Sequence, residues 1–329
     1  MTVLSLSFLI PLIATVAGTW LVLGWLRRKR ILDHPNERSS HRQPTPRGGG
    51  LAVTPVIVLA WAALTWQVFP PDETGRLLVA AGGALVLLIL SWLDDRRGLS
   101  ARLRIRIHFA VVMAGVASWP DNQLLCQGLL PLWGDRLVML GAWVWFLNLF
   151  NFMDGIDGIS GVETATIGCG LAWLALQAGD VGGASLNLIM VGAALGFLAW
   201  NWHPAKIFLG DSGSVPIGYL LGWLLLSAAS SGHWAAALIL PAYYLSDATL
   251  TLGKRAFRGE RVWEAHRQHF YQQAVQAGVS HASVSVLILL ANLILVALAV
   301  FSEVHPWAAL AAAAVDVALL LMMLARLGK

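Results

Sequence analysis

Charge is scarce in this 329-residue sequence. Only 12% of its residues are Asp, Glu, Lys or Arg, about half the ~25% of a soluble globular domain. Polar stretches are scarce too, and none outlasts roughly Lys254–His281. These two shortages argue against a soluble multidomain protein and against a soluble domain on one anchor, although length alone would allow two or three soluble domains. Cysteine is nearly absent. Cys126 stands in a short polar interval and Cys169 in an apolar run, which supports neither a disulfide framework nor a thiolate metal site. No internal repeat or low-complexity tract divides the chain.

What is present is mostly hydrocarbon. The chain is 57% hydrophobic, its mean hydropathy is +0.68, and apolar runs recur along its whole length. The expected fold is an all-α polytopic membrane protein forming one integral-membrane domain over residues 1–329. A spanning helix needs about 20 apolar residues. On that basis eleven spans are expected, roughly 2–26, 48–69, 76–93, 104–120, 136–150, 161–178, 185–200, 213–231, 235–253, 283–301 and 306–325. The first run, Leu4–Leu26, is followed by the basic cluster Arg27–Arg30. A secretory signal peptide carries its positive charge first, so the run is read as a retained helix with a periplasmic N-terminus. An odd number of spans then puts the C-terminus in the cytoplasm.

The basic residues fit this count. Of 22 Lys and Arg, only Arg76 and Arg136 fall outside, and the other 20, Arg38 and Arg42 among them, fall on the cytoplasmic side, as the positive-inside rule requires. The sequence pI near 9.4 therefore reflects topology and a surface suited to anionic lipid heads, not nucleic acid. Cytoplasmic loops are expected at about 27–47, 94–103, 151–160, 201–212 and 254–282.

All five of these loops carry polar residues beyond what a connection needs. Asp33–Leu51, DHPNERSSHRQPTPRGGGL, closes on three glycines whose N–H groups at a helix start would suit an anion. Asp94–Asp95 end the third span, where adjacent carboxylates repel unless a cation, or Arg96 and Arg97, neutralises them. Asn148, Asn151, Asp154 and Asp157 recur every third residue in NLFNFMDGIDGISG, roughly along one side of a helix end. Carboxylates near hydrocarbon are costly and point to function. Asp211 in GDSGS either caps the eighth span or binds a ligand. His266 and His269 flank Arg267 in RGERVWEAHRQHFYQQ, a pair suited to phosphate but lacking the spacing of a zinc-protease helix. Each segment alone also reads as a capped or solvated helix end. Topology gathers all five on one leaflet, where Mg²⁺ and phosphates would suit paired carboxylates.

The ordered set LDD, NxxNxxDGxDG, FxGDxGS and HRxHxYQ resembles the polyprenyl-phosphate N-acetylhexosamine-1-phosphate transferases, the WecA–MraY family, over Asp33 to Gln272. The HRQHFYQ form and eleven spans look closer to the WecA and WbpL branch, which starts O-antigen and related glycans. The resemblance implies transfer of an N-acetylamino-sugar 1-phosphate from a UDP-sugar to undecaprenyl phosphate, with release of UMP, in the bacterial inner membrane. By the same resemblance, Asp211 is the principal ligand of Mg²⁺, with Mn²⁺ as an alternative, and Asp95 supports it. Asp94 orients or deprotonates the lipid phosphate. Asn151, Asp154, Gly155 and Asp157 line the uridine site, Phe208 stacks on uracil, and His266, Arg267 and His269 bind the diphosphate or donor. Membrane lipids and a second copy of the chain are further partners. The rival readings are a cation-coupled transporter with Asp247 and Asp316 as relay groups, and a non-catalytic lipid-binding membrane protein.

Overall fold

The computed structural model describes residues 2–35, 43–262 and 266–329. Arg38 and Arg42, like the middle of the Arg258–Gln273 segment, lie outside the described residues.

The chain is almost wholly helical. In order it forms α1 (Thr2–Lys29), α2 (Gly50–Val68), α3 (Pro71–Arg97), α4 (Ala101–Ala117), α5 (Leu132–Met153), α6 (Ile159–Gln177) and α7 (Val181–Asn201). It continues through α8 (Asp211–Ser230), α9 (Trp234–Ile239), α10 (Ala242–Phe257), α11 (Phe270–Gln276), α12 (His281–Phe301) and α13 (Pro306–Leu327). Among the described residues, nine helices are long and apolar enough to cross a membrane. The expected fourth and ninth spans correspond to the 17-residue α4 and to the broken pair α9–α10, which are not among those nine. The expected span 235–253 is interrupted because Pro241 follows the end of α9 and has no N–H to continue a helix. The expected spans 136–150 and 185–200 extend in α5 and α7 at both ends, since residues such as Asn151 can stay helical while their side chains find partners.

Local chemistry sets the helix ends nearest the polar loops. Gly98, with φ of 65°, ends α3, a left-handed position that glycine adopts without strain. The Ser100 hydroxyl accepts from the Leu103 N–H and starts α4, and Ser280 does the same for Ser283 at α12, each satisfying a helix-start donor.

α8 is buried on nearly every side, whereas α1 faces outward along most of its length. The α8 interface with α5 is aromatic. The Trp143 Nε1–H donates to the Tyr219 carbonyl at 2.8 Å, and the two rings stack 4.8 Å apart. Large apolar side chains on the outer helices, including Ile13, Leu21, Leu59 and Trp307, are exposed, as a hydrocarbon surround permits. Because passes alternate in direction, the C-terminal ends of α3, α5, α7 and α10 share a face with the N-terminal ends of α2, α4, α6, α8 and α12. A feature absent from the sequence expectation lies on this face. Strands β1 (Leu32–Asp33) and β2 (Thr45–Pro46) pair antiparallel, and Arg47 bridges to Phe208.

Candidate active site

Three elements place acids in one cluster. Asp94 and Asp95 lie in the last turn of α3, α8 starts on Asp211, and the strand bridge fixes Arg47 between them. The Arg47 Nη2 donates to Asp211 Oδ1 at 2.5 Å and lies 3.2 Å from Asp95 Oδ1. Asp94 turns elsewhere. It accepts from the Leu99 N–H at 2.6 Å and from Arg104 Nη1 at 2.8 Å, and Arg104 also lies 3.7 Å from Asp211 Oδ2. Burial alone would lower the Arg47 pKa, but Asp211 and Asp95 hold it above its ordinary value. The expected neutralisation by Arg96 and Arg97 is replaced: Arg96 lies over the Trp92 ring, and the paired acids are met by Arg47 and Arg104. Asp95 Oδ2 is buried with no hydrogen-bond partner among the described residues.

The glycine run has a different role from the anion site expected of it. The N–H groups of Gly48 and Gly49 donate to the Phe208 carbonyl, and that of Gly50 donates to the Leu209 carbonyl, so none is free for a ligand. A Cβ at Gly50 would sit closer than 3.0 Å to the backbone of Ser212 and Gly213. The run thus lets the start of α2 touch the start of α8, and it sets Arg47 beside Asp211.

The Asn–Asp run divides where α5 ends. Asn148 Oδ1 faces His108 Nδ1 at 3.1 Å, and Asn151 Oδ1 accepts from Ser214 Oγ at 2.6 Å, so both asparagines lie toward α4 and α8. Asp154 caps α5 and accepts from Ser160 Oγ at 2.7 Å. Burial pushes its carboxyl up to about 6, against the Ser160 bond and the charge of Arg47. Asp157 does not continue the same side. It is 5% exposed, with His203 Nδ1 at 2.6 Å, the Ala205 N–H at 3.1 Å and His281 Nδ1 at 3.2 Å. Burial would raise its pKa, but His281, His203 and the Ala205 N–H hold it below the usual carboxylate range. The ligating atoms of Asp157, His203 and His281 lie within 4.8 Å of one another, a spacing open to a cation, yet both carboxylate oxygens already have partners.

The histidine segment packs on Asp247 of α10, which is fully buried. Its oxygens face His269 Nδ1 at 3.0 Å, the Phe270 N–H, Tyr243 Oη and Thr251 Oγ1. Gln272 Oε1 accepts from the His269 N–H and closes the start of α11. The His266 ring lies 4.8 Å from that of His269, and burial beside His269 and Arg255 pushes its pKa down to about 4. Arg267 is half-buried, and its carbonyl accepts from Gln276. Contact with the rest of the site runs through Tyr271, whose hydroxyl donates to the Phe152 carbonyl at 3.3 Å. A Cβ at Gly155 would collide with that hydroxyl.

Asp94, Asp95 and Asp211 therefore gather around Arg47 and Arg104, with Asn151 joined to α8 through Ser214, Asp154 bonded to Ser160 of α6, and Phe208 held at the edge by its backbone. Asp157 and the His266–His269 segment form two adjoining clusters. Sequence reasoning counted Arg47 and Arg104 only as topology. It passed over His108, His203 and His281, and gave Asp247 to the transporter reading. Their signals were weak: an Arg before a glycine run, one histidine inside α4, and single histidines beside the ends of α7 and α12.

The family described as glycosyl transferase family 4 matches residues 77–229. A probable undecaprenyl-phosphate N-acetylglucosaminyl 1-phosphate transferase of Bacillus subtilis is 27% identical, over 92% of this chain and 86% of its own length. A decaprenyl-phosphate N-acetylglucosaminephosphotransferase of Mycolicibacterium smegmatis is 32% identical, over 83% and 76%. The undecaprenyl-phosphate alpha-N-acetylglucosaminyl 1-phosphate transferase of Escherichia coli K12 is 29% identical, over 83% and 77%.

Proposed function

The chain belongs to glycosyl transferase family 4, the WecA–MraY type of membrane transferases, and from that premise we propose the following reaction. The chain transfers an N-acetylamino-sugar 1-phosphate from a UDP-sugar to undecaprenyl phosphate and so starts an O-antigen or related cell-surface glycan. A lipid phosphate oxygen attacks the sugar-linked phosphorus, the bond from that phosphorus to UMP breaks, and UMP leaves with the electron pair. The observation that carries this reading is the meeting of Asp95 and Asp211, from separate helices, around one guanidinium. Two anions must approach each other, and such transfers depend on positioning and charge neutralisation.

The donor set fits a hard divalent cation. Asp211 and Asp95 are acids on separate helices, and Asp95 Oδ2 is a buried oxygen with no donor among the described residues. Mg²⁺ or Mn²⁺ held by these two residues would neutralise the diphosphate and the charge gathering on departing UMP. Asp94, kept in place by Arg104 and Leu99, would orient the lipid phosphate. Asn151, Asp154 and Gly155 would line the uridine site with Phe208 on uracil. Asp157 would contribute through the His203 ring that it holds. His266 and His269, anchored by Asp247, would meet the donor with Arg267. At neutral pH His266 would offer a hydrogen bond and no charge.

A lipid path supports the acceptor assignment. An apolar groove of about 780 Å³ runs between α4, α5 and α10, lined by Phe109, Leu140, Val144 and Leu252, and includes Asn148 and Phe152 at the end of α5 nearest the acids. Such a surface suits a polyprenyl chain whose phosphate must reach Asp94. The charge asymmetry of the loops supports a cytoplasmic site in the inner membrane, where nucleotide sugars are made. The transporter alternative uses Asp247 and Asp316 as relay groups, and of these the Asp247 carboxylate is occupied by His269, Phe270, Tyr243 and Thr251.

The test is purified protein with undecaprenyl phosphate, Mg²⁺ and a panel of UDP-N-acetyl sugars, with UMP measured. N-acetylglucosamine, the sugar named in the relatives, is expected to give UMP and a lipid-linked product. UMP release from no member of the panel would sink the reading. Accumulation of solute in sealed vesicles would favour the transporter.

A further inference from the structure

Taking that transfer reading as premise, we infer that Arg47 is an exchangeable counter-charge: it competes with the divalent cation for Asp95 and Asp211, and when it gives them up it grips the donor's diphosphate. Three observations carry this. The guanidinium stands between Asp211 Oδ1 and Asp95 Oδ1, on the two acids that a shared cation would need. Its side chain is 37% exposed while those of its partners are 10% and 19% exposed, so it is the most open member of the cluster. Its backbone is fixed by the Phe208 bridge, and a long side chain on a fixed backbone can swing without disturbing the fold.

An arginine serving only to pair the acids would be expected to saturate them. Here Asp95 Oδ2 is left without a donor among the described residues. A planar guanidinium also matches a phosphate with two parallel N–H bonds, which an ammonium cannot do. The exchange keeps charge balanced: one cation replaces another at the carboxylates, and the displaced one neutralises incoming phosphate oxygens. Arg104 cannot serve in the same way, because its closest partner is Asp94 and Asp211 lies 3.7 Å away.

The test measures binding, not turnover. Mn²⁺ affinity is read by electron paramagnetic resonance on detergent-purified protein, and UDP affinity by calorimetry at saturating Mn²⁺. Arg47→Gln is expected to bind Mn²⁺ roughly tenfold tighter and UDP roughly tenfold weaker, the scale of one charged hydrogen bond. Arg104→Gln should tighten Mn²⁺ binding less. Arg47→Lys keeps the charge without the fork, so Mn²⁺ affinity should stay near wild type while UDP weakens. Unchanged or weaker Mn²⁺ binding in Arg47→Gln would overturn the inference, as would equal tightening by Arg104→Gln. Should Arg47→Gln fail to fold, unchanged UDP affinity in Arg47→Lys would overturn it alone. Mn²⁺ binding that survives Asp211→Asn would sink the metal site and the inference with it. Mn²⁺ binding that needs Asp211 but ignores Arg47 would sink only the inference.

Discussion

Gly50→Ala adds one methyl group where two helix starts touch. Its Cβ would lie closer than 3.0 Å to Ser212 C, Gly213 N and Gly213 Cα, which are backbone atoms that cannot rotate away. α2 and α8 must separate there, against the Gly49 N–H bond to Phe208 and the Gly50 N–H bond to Leu209, both 2.9 Å. Overpacking of this kind costs about 1–3 kcal/mol, which should lower the melting temperature by several degrees. The larger effect is on geometry. Asp211 is the first residue of α8 and Arg47 lies three residues before Gly50, so the separation shifts one against the other by up to about an ångström. A misplacement of that size costs on the order of 10²-fold in rate. The assay is UMP release in detergent, run below the melting temperature of the variant, beside Gly82→Ala, whose Cβ meets nothing within 4 Å. Gly82→Ala should behave as wild type. Equal activity in the two variants would refute the claim that contact between α2 and α8 sets the acid cluster.

The remaining expectations concern the outer parts of the site. Asp247→Leu leaves the His269 ring and the Phe270 N–H without their acceptor, at about 1–3 kcal/mol each; thermal melting and limited proteolysis of the His266–Gln276 region should show a looser segment, with Asp247→Asn milder. Equal stability of the two variants would contradict the anchoring role. Burial holds the His266 imidazole down at about 4, below its ordinary 6.5, so its neutral form is favoured in the fold. Its contribution to stability is complete above pH 6.5 and is lost as pH falls from there toward 4. The wild-type melting temperature should thus fall more steeply over that window than that of His266→Gln, and parallel curves would count against it. Cysteines placed at Ala101 and Gln273 should react with an impermeant thiol reagent only from the cytoplasmic side of oriented vesicles. Labelling from outside would break the sidedness of the site.

The passes were legible in the sequence because hydrocarbon imposes a long, uniform signal. Eleven apolar runs map onto the helices to within a few residues, and the one misread, the break at Pro241, came from a proline that composition hides. The acids were legible because carboxylates at span ends have few structural reasons to be there. Their partners were not. Arg47 and Arg104 look like any positive-inside residues until the Phe208 bridge and the turn at Gly98 aim them. The three-residue spacing that joined Asp154 to Asp157 holds only while the helix lasts, and α5 stops at Met153. Asp157 then turns to His203 and His281, which are 46 and 124 residues away, a distance at which no local pattern operates. Gly48–Gly50 were rightly read as special, but close packing, not an exposed nest of N–H groups, is what requires them.

Asp211 and Asp95 are proposed as the centre of sugar-phosphate transfer. Wild type, Asp211→Asn and Asp95→Asn should be reconstituted with undecaprenyl phosphate, given UDP-N-acetylglucosamine over a range of Mg²⁺, and assayed for UMP and lipid-linked sugar together. Wild type should form the two products in equal amounts and only with Mg²⁺, and both variants should insert normally yet lose most turnover at every Mg²⁺ concentration. Near-normal product formation by Asp211→Asn would reduce that residue to a helix cap, worth about 1 kcal/mol of stability, and would contradict the account.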